Sequence, residues 1–180
     1  MKTITQIHEQ YLKKETNVSG LVSQYLDRIK KIDGSLNSFL IICGEEALAK
    51  AKQMDGEVSE EVLKSKPLFG VPVGLKDIYM TEGVRTTAAS KVLENYIPQY
   101  SSTAWKKLED AGAILVGKLN CDAWAHGSSG ENSDFGSTKN PWNIEYVSGG
   151  SSSGSGAAVA ADLVPFSMGT DTGGSIRLPA

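Results

Sequence analysis

The sequence predicts an α/β fold: a helical layer over residues 1–65, then a sheet-bearing portion over residues 66–180, together parts of one domain. Three observations carry this. Apolar residues in the first block recur at helical spacing. At Pro67 the texture changes to an apolar, β-branched run punctuated by Gly and Pro. Beyond it a helix leads directly into a short all-apolar strand, twice over, which is the rhythm of a sheet flanked by helices.

In the first block, Ile4, Ile7, Tyr11 and Leu12 mark one helix and Leu21, Val22, Tyr25, Leu26 and Ile29 a second. The second is expected to be capped by Asn17 or Ser19 and to end at Gly34. A third, Glu45 to Met54, is rich in Ala, Glu and Lys and stops near Gly56. Leu68 to Leu75 reads as a short buried strand reached by a turn. Ser101, Ser102 or Thr103 caps a helix through Trp105, Leu108 and Ala111, closed by Gly112, and Ala113 to Val116 follows as a strand. The second helix–strand pair is Gly156 to Asp162 and Val164 to Met168. The Gly/Ser run from Ser148 to Gly156 leads straight into that helix, so it reads as a turn at a helix N-terminus rather than a linker.

A chain of 180 residues buries roughly 70% of its unfolded surface on folding. Hydrophobic residues at 40% and charged residues at 22% are those of a globular protein and exclude disorder. The net charge of −3 argues against broad binding to nucleic acid through a basic face. Cys43 and Cys121 lack metal-ligand spacing, and two free thiols suit a reducing compartment such as the cytoplasm. The N-terminus has charges every few residues and no signal-peptide core. The longest apolar stretch, Ala157 to Met168, is interrupted by Asp162 and Pro165 and is too short for a bilayer span, so a soluble protein is expected.

Several familiar motifs fail on inspection. Gly112-x4-Gly117-Lys118 has the spacing of a phosphate loop, but Leu119 stands where Ser or Thr must hold magnesium, and the intervening Ala-Ile-Leu-Val reads as a strand. Gly154-x-Gly156 has Val159 at the third glycine position of a dinucleotide fingerprint. Only two histidines occur: His8, read as a surface residue of the first helix, and His126, on which alone a Ser-His-Asp arrangement would have to rest.

What remains is serine chemistry without histidine. Asp171-Thr172-Gly173-Gly174-Ser175-Ile176-Arg177 places a serine after two glycines, just beyond a strand, where backbone N–H groups come close to a substrate. A Gly-Gly turn with no chemical role would look the same, and Asp171 and Arg177 could simply pair to fix it. The run Ser148 to Gly156 is by itself only Ser/Gly-rich. Lys76 ends the apolar run from Gly70 to Leu75, which suggests an ammonium carried into the interior.

Taken together, Gly-Val-Pro-Val-Gly-Leu-Lys-Asp, the Gly/Ser run and Gly-Thr-Asp-Thr-Gly-Gly-Ser-Ile-Arg resemble the amidase signature family, over about Gly70 to Ala180 and in the family's order. Lys76, Ser151 and Ser175 stand 75 and 24 positions apart, the family's separations. The resemblance implies a mixed central sheet flanked by helices, with Lys76 as general base, Ser151 as a bridging serine held by a cis peptide, and Ser175 as nucleophile. Thr172, Gly173 and Gly174 would form the oxyanion hole, and Ser128 and Ser129 would contact substrate. Gly117 to Asn120, Gly127 to Ser133, Phe135-Gly136 and Asn140-Pro141-Trp142 are similar to the amidase-subunit branch of tRNA-dependent amidotransferases. That branch implies glutamine as ammonia source, partner subunits, tRNA reached only through the complex, ATP used by a partner, and no cofactor on this chain. Ser153 and His126 depart from the family pattern, where Gly and an apolar residue are usual. The family also continues for several hundred residues, so a fragment, or a chain completed by another, is expected. A stand-alone amidase acting on a small amide and an inactive interaction module are the rival readings.

The base sets a physical condition. A lysine with pKa about 10.4 is neutral at pH 7 in about one molecule in 2,500. Half-neutrality requires lowering it by about 3.4 pH units, roughly 4.6 kcal/mol, and burial supplies ~3–5. Lys76 therefore has to be dry.

Overall fold

A computed structural model of the chain describes residues 2–180. Helix α1 (Ile4–Leu12) opens on a capping box: the Gln6 N–H donates to Thr3 Oγ1 at 3.2 Å, and the Thr3 N–H donates to Gln6 Oε1 at 2.9 Å. Its far end grips the turn that precedes the sheet. The Tyr11 hydroxyl donates to the Gly70 carbonyl at 2.9 Å, and His8 Nε2 lies 3.1 Å from the Phe69 carbonyl. His8 is therefore half-buried rather than on the surface. Helix α2 (Val18–Leu36) is capped by Asn17, whose Oδ1 accepts from the Gly20 N–H at 3.0 Å. It passes through Gly34 and ends on Asn37 in the left-handed conformation (φ 54°).

The buried Asp33 carboxylate explains that ending. It accepts the N–H groups of Ser38 (2.9 Å) and Phe39 (3.1 Å) as well as the Ser38 hydroxyl. The chain is thereby turned out of α2 into strand β1 (Phe39–Ile42), which lies inside the block read as wholly helical. Four residues are too few for a periodicity to show. Helices α3 (Gly44–Met54) and α4 (Glu60–Ser65) complete the layer; α4 is likewise too short to announce itself in sequence.

Strand β2 (Pro72–Lys76), helix α5 (Thr103–Asp110), strand β3 (Ile114–Leu119), helix α6 (Ser153–Ala160) and strand β4 (Phe166–Met168) follow. Ser102 caps α5, accepting from the Trp105 N–H at 3.4 Å. The sheet order is β1-β3-β2-β4, with β1 antiparallel to β3 and the other pairs parallel, so the sheet is mixed. Helices α1 to α3 and the Ala-rich α6 pack through Ile7, Leu21, Ile29, Phe69, Leu119 and Ala158 into the larger core. Val73, Leu75, Trp105 and Ala113 form a smaller one with α5.

The β2–β3 register shifts between Val73 and Gly74, leaving Val116 unpaired, so that Leu75 lies beside Lys118 and Lys76 beside Leu119. Side chains alternate along a strand and paired residues share a face. Lys76 and Lys118 consequently leave the sheet on opposite sides.

Candidate active site

Strand β2 is buried along its whole length and delivers Lys76 at its C-terminal end with no solvent exposure. Lys76 Nζ donates to Ser151 Oγ at 2.7 Å, Thr170 Oγ1 at 2.9 Å and Ser152 Oγ at 3.1 Å. Among the described residues no carboxylate lies within ion-pairing distance of it. Burial lowers its pKa below the ordinary lysine value, against the opposing pull of Cys121, Asp122 and Asp171. Burial also pushes the Cys121 thiol up to about 12. Cys121 is thus uncharged near neutral pH, which leaves the two carboxylates as the charges opposing the shift.

Ser151 follows a cis peptide from Gly150 and is fully buried. Its carbonyl accepts the Asp122 N–H at 3.0 Å, and the Gly150 N–H donates to the Ser128 carbonyl at 2.9 Å. The Thr170–Arg177 loop is brought alongside by the next residue: the Ser152 N–H donates to the Ser175 carbonyl at 3.0 Å. The Ser152 hydroxyl donates to the Thr170 carbonyl at 3.1 Å and accepts the Thr170 N–H at 3.2 Å. Ser175 itself is half-buried, and among the described residues its hydroxyl has no hydrogen-bond partner, Ser151 included.

Asp171 organises the loop. Its carboxylate pairs with Arg177 at 2.8 Å and accepts the N–H groups of Gly174 (3.1 Å), Ile176 (2.6 Å) and Arg177 (3.2 Å). Of the three residues read as an oxyanion hole, Gly174 therefore has its N–H engaged. Those of Thr172, Gly173 and Ser175 have no partner among the described residues.

A cavity of about 710 Å³ adjoins the site, with Ser128, Ser152, Gly169 and Ile176 in its wall. Ser129 is half-buried and outside that wall. His126 is exposed, lies outside the cavity, and among the described residues its ring makes no hydrogen bond. It neither lines the cavity nor hydrogen-bonds a serine through its ring.

Sequence reasoning misses Ser152, Thr170, Asp122 and the pair Lys118–Asp77. Lys118 Nζ lies 3.2 Å from Asp77 Oδ1, both side chains fully buried, and donates to Thr86 Oγ1 at 2.7 Å and the Tyr79 carbonyl at 2.9 Å. Asp77 Oδ2 accepts the Thr87 N–H at 2.8 Å. This pair anchors the loop after β2 on the face away from Lys76. The only sequence signal for it is the Gly117-Lys118 dipeptide, which lies within strand β3 and forms no phosphate loop.

The Amidase family profile matches residues 20–180. The chain belongs to that family. It is 49% identical over 178 residues to the A subunit of the glutamyl-tRNA(Gln) amidotransferase of Geobacter metallireducens, a match covering 99% of this chain and 36% of that protein. Among solved structures, the native peptide amidase of Stenotrophomonas maltophilia superposes with a TM-score of 0.91 at 33% identity, over 99% of this chain and 38% of that one. The corresponding glutamyl-tRNA(Gln) amidotransferase chain of Thermotoga maritima gives a TM-score of 0.79 at 40% identity, over 99% and 36%. The chain thus spans little more than a third of the length of these relatives. Its four-stranded mixed sheet with flanking helices is the corresponding part of their amidase fold.

Proposed function

We propose that Lys76, Ser151 and Ser175 form the acyl-transfer centre of an amidase that releases ammonia from glutamine, serving a tRNA-dependent amidotransferase that converts Glu-tRNA(Gln) to Gln-tRNA(Gln). The observation that carries this reading is the fully buried Lys76, with no carboxylate partner and its Nζ held 2.7 Å from Ser151 Oγ, beside a Gly-Gly-Ser loop with open N–H donors. Neutral Lys76 takes the Ser151 proton, and Ser151 takes that of Ser175 as Ser175 Oγ bonds to the amide carbon. The carbonyl π electrons move onto oxygen, and the resulting oxyanion accepts hydrogen bonds from the free N–H groups around Thr172 to Ser175; one such donor is worth about 10²–10³ in rate. The proton returns to the leaving nitrogen, ammonia departs, and water resolves the acyl-enzyme. In this reading the partner subunits carry the ATP chemistry and the tRNA, this chain needs no cofactor of its own, and the assembly works in the cytoplasm. Among the described residues no helix is long and apolar enough to cross a membrane.

The test is glutaminase activity with partner subunits present. Ser175→Ala should lower kcat by about 10⁴-fold or more, and Lys76→Arg should do the same, because guanidinium keeps its proton at any workable pH. Labelled substrate trapped on a serine other than Ser175, or an active Lys76→Arg, overturns the assignment. The close superposition on a peptide amidase favours a second reading, a stand-alone amidase for a small amide. Hydrolysis of such an amide without partners, alongside inertness toward glutamine with them, would establish it.

A further inference from the structure

Asp122 has no part in the mechanism above, yet it is the most closely fitted carboxylate near it. It has no solvent exposure, and among the described residues no lysine, arginine or histidine lies within ion-pairing distance. Oδ1 accepts the Asn132 N–H at 2.8 Å and Oδ2 the Gly130 N–H at 3.1 Å, while its own N–H donates to the Ser151 carbonyl. Two glycines make the space. A Cβ on Gly150 would lie 2.1 Å from Asp122 Oδ2, and one on Gly127 would lie 2.3 Å from its Cγ. A buried carboxylate with no counter-ion is expensive to keep. The site demands two acceptors, one for each N–H, which a carboxylate offers and a side-chain amide does not.

We propose that Asp122 is a positioning residue for the Lys76–Ser151 pair: its backbone N–H holds the Ser151 carbonyl while its carboxylate holds the Gly130 and Asn132 N–H groups of the 127–132 loop, and that carboxylate supplies the negative charge that balances the buried lysine. Among the described residues three groups bear electrostatically on Lys76: Cys121 and Asp122 after β3, and Asp171 after β4; the turn before α6 presents the Ser151 and Ser152 hydroxyls and the loop after β4 that of Thr170. Cys121 remains a thiol. The Asp171 carboxylate is already engaged by the Arg177 guanidinium and three backbone N–H groups. Asp122 is the one carboxylate facing Lys76 that no side-chain cation neutralises. Burial alone drives Lys76 toward the neutral form. Opposing charge keeps it basic enough to take a proton, since a base whose pKa has fallen too far is a poor acceptor. The inference rests on the reading of Lys76 as the base.

The test is Asp122→Asn in the full chain, followed by NMR titration of the Lys76 side chain, assigned with Lys76→Arg. Lys76 should lose its proton at lower pH than in the wild type, by on the order of one pH unit. Lys118, across the sheet beside Asp77, should not move. With partner subunits present, the acidic limb of the glutaminase profile should move the same way. An unmoved Lys76 titration overturns the proposal whatever the activity, whereas an active Lys76→Arg overturns the base assignment alone. Should Asp122→Asn not fold, Asp171→Asn decides: because Arg177 already engages the Asp171 carboxylate, this variant should leave the Lys76 titration nearly unmoved, and a downward shift on the order of one pH unit there overturns the assignment of the balancing charge to Asp122.

Discussion

Lys76 and Lys118 are the same residue type, equally buried, on adjacent strands, and only Lys118 has a counter-ion. The unfolded chain holds a proton on lysine up to about its ordinary value of 10.5, whereas the folded chain releases that of Lys76 at lower pH. Between the two values the unfolded state binds more protons, so this lysine's contribution to stability rises with pH and is least favourable below its folded pKa. Lys76→Met, similar in size and without charge, should therefore raise the melting temperature near neutral pH. The gain should shrink as pH approaches 10.5, by about 1.4 kcal/mol for each pH unit by which folding displaces the titration. Melts of both proteins across that range check it, and a gap that does not vary with pH would mean Lys76 titrates as if exposed. Lys76 is legible in sequence because an apolar run leads straight into it. Asp122 is not, because a buried carboxylate is written like an exposed one; its cradle comes from Gly127 and Gly150, which are distant in sequence and both pack against its carboxylate.

Strand β3 shows how an element places these residues. The register shift opposite Val73 sends Lys118 to one face and Leu119 to the other, and Gly117 lets β1 approach closely. A Cβ on Gly117 would lie 2.3 Å from the Ile41 carbonyl oxygen and 2.7 Å from Phe39 Cδ1. Backbone and a packed ring cannot yield cheaply, so Gly117→Ala should cost about 1–3 kcal/mol, seen as a lower urea midpoint, and should loosen β1 first. Hydrogen exchange at Phe39 to Ile42 should rise before that at β2; unaltered protection of β1 would refute it. The helices α1, α2, α3 and α5 and strands β2 and β3 can be read because each carries several apolar residues at a clear period. Strand β1 and helix α4 cannot, being four and six residues long. The start of α6 also escapes sequence reading, because Ser153 and Gly154 have poor helix propensity and sit in the helix through packing: Gly154 fits against the Ser38 carbonyl, where a Cβ would be 2.4 Å away.

At the scale of the molecule, the surface beyond the site is unusually apolar. Trp142 is 85% exposed, Tyr146 67%, Leu178 59% and Ile144 51%, and Trp142 and Leu178 wall the cavity that adjoins Ser128 and Ser152. Strand β4 lies at the edge of the sheet with its three residues only partly covered, leaving backbone donors and acceptors without a strand partner on one side. An open edge beside an apolar patch is the arrangement that pairs with another chain. The 180-residue chain alone should therefore self-associate, with light scattering showing species above the monomer and a hydrophobic dye binding the native state. Trp142→Lys with Tyr146→Lys should reduce both without lowering the melting temperature, since neither side chain belongs to a core cluster. The 180 residues by themselves should be inactive on glutamine, because catalysis needs substrate held to a fraction of an ångström and two side chains in the wall of the cavity beside Ser152, Trp142 and Leu178, are largely exposed. A monodisperse, cooperatively melting monomer that hydrolyses glutamine would refute both expectations and make these residues a sufficient amidase.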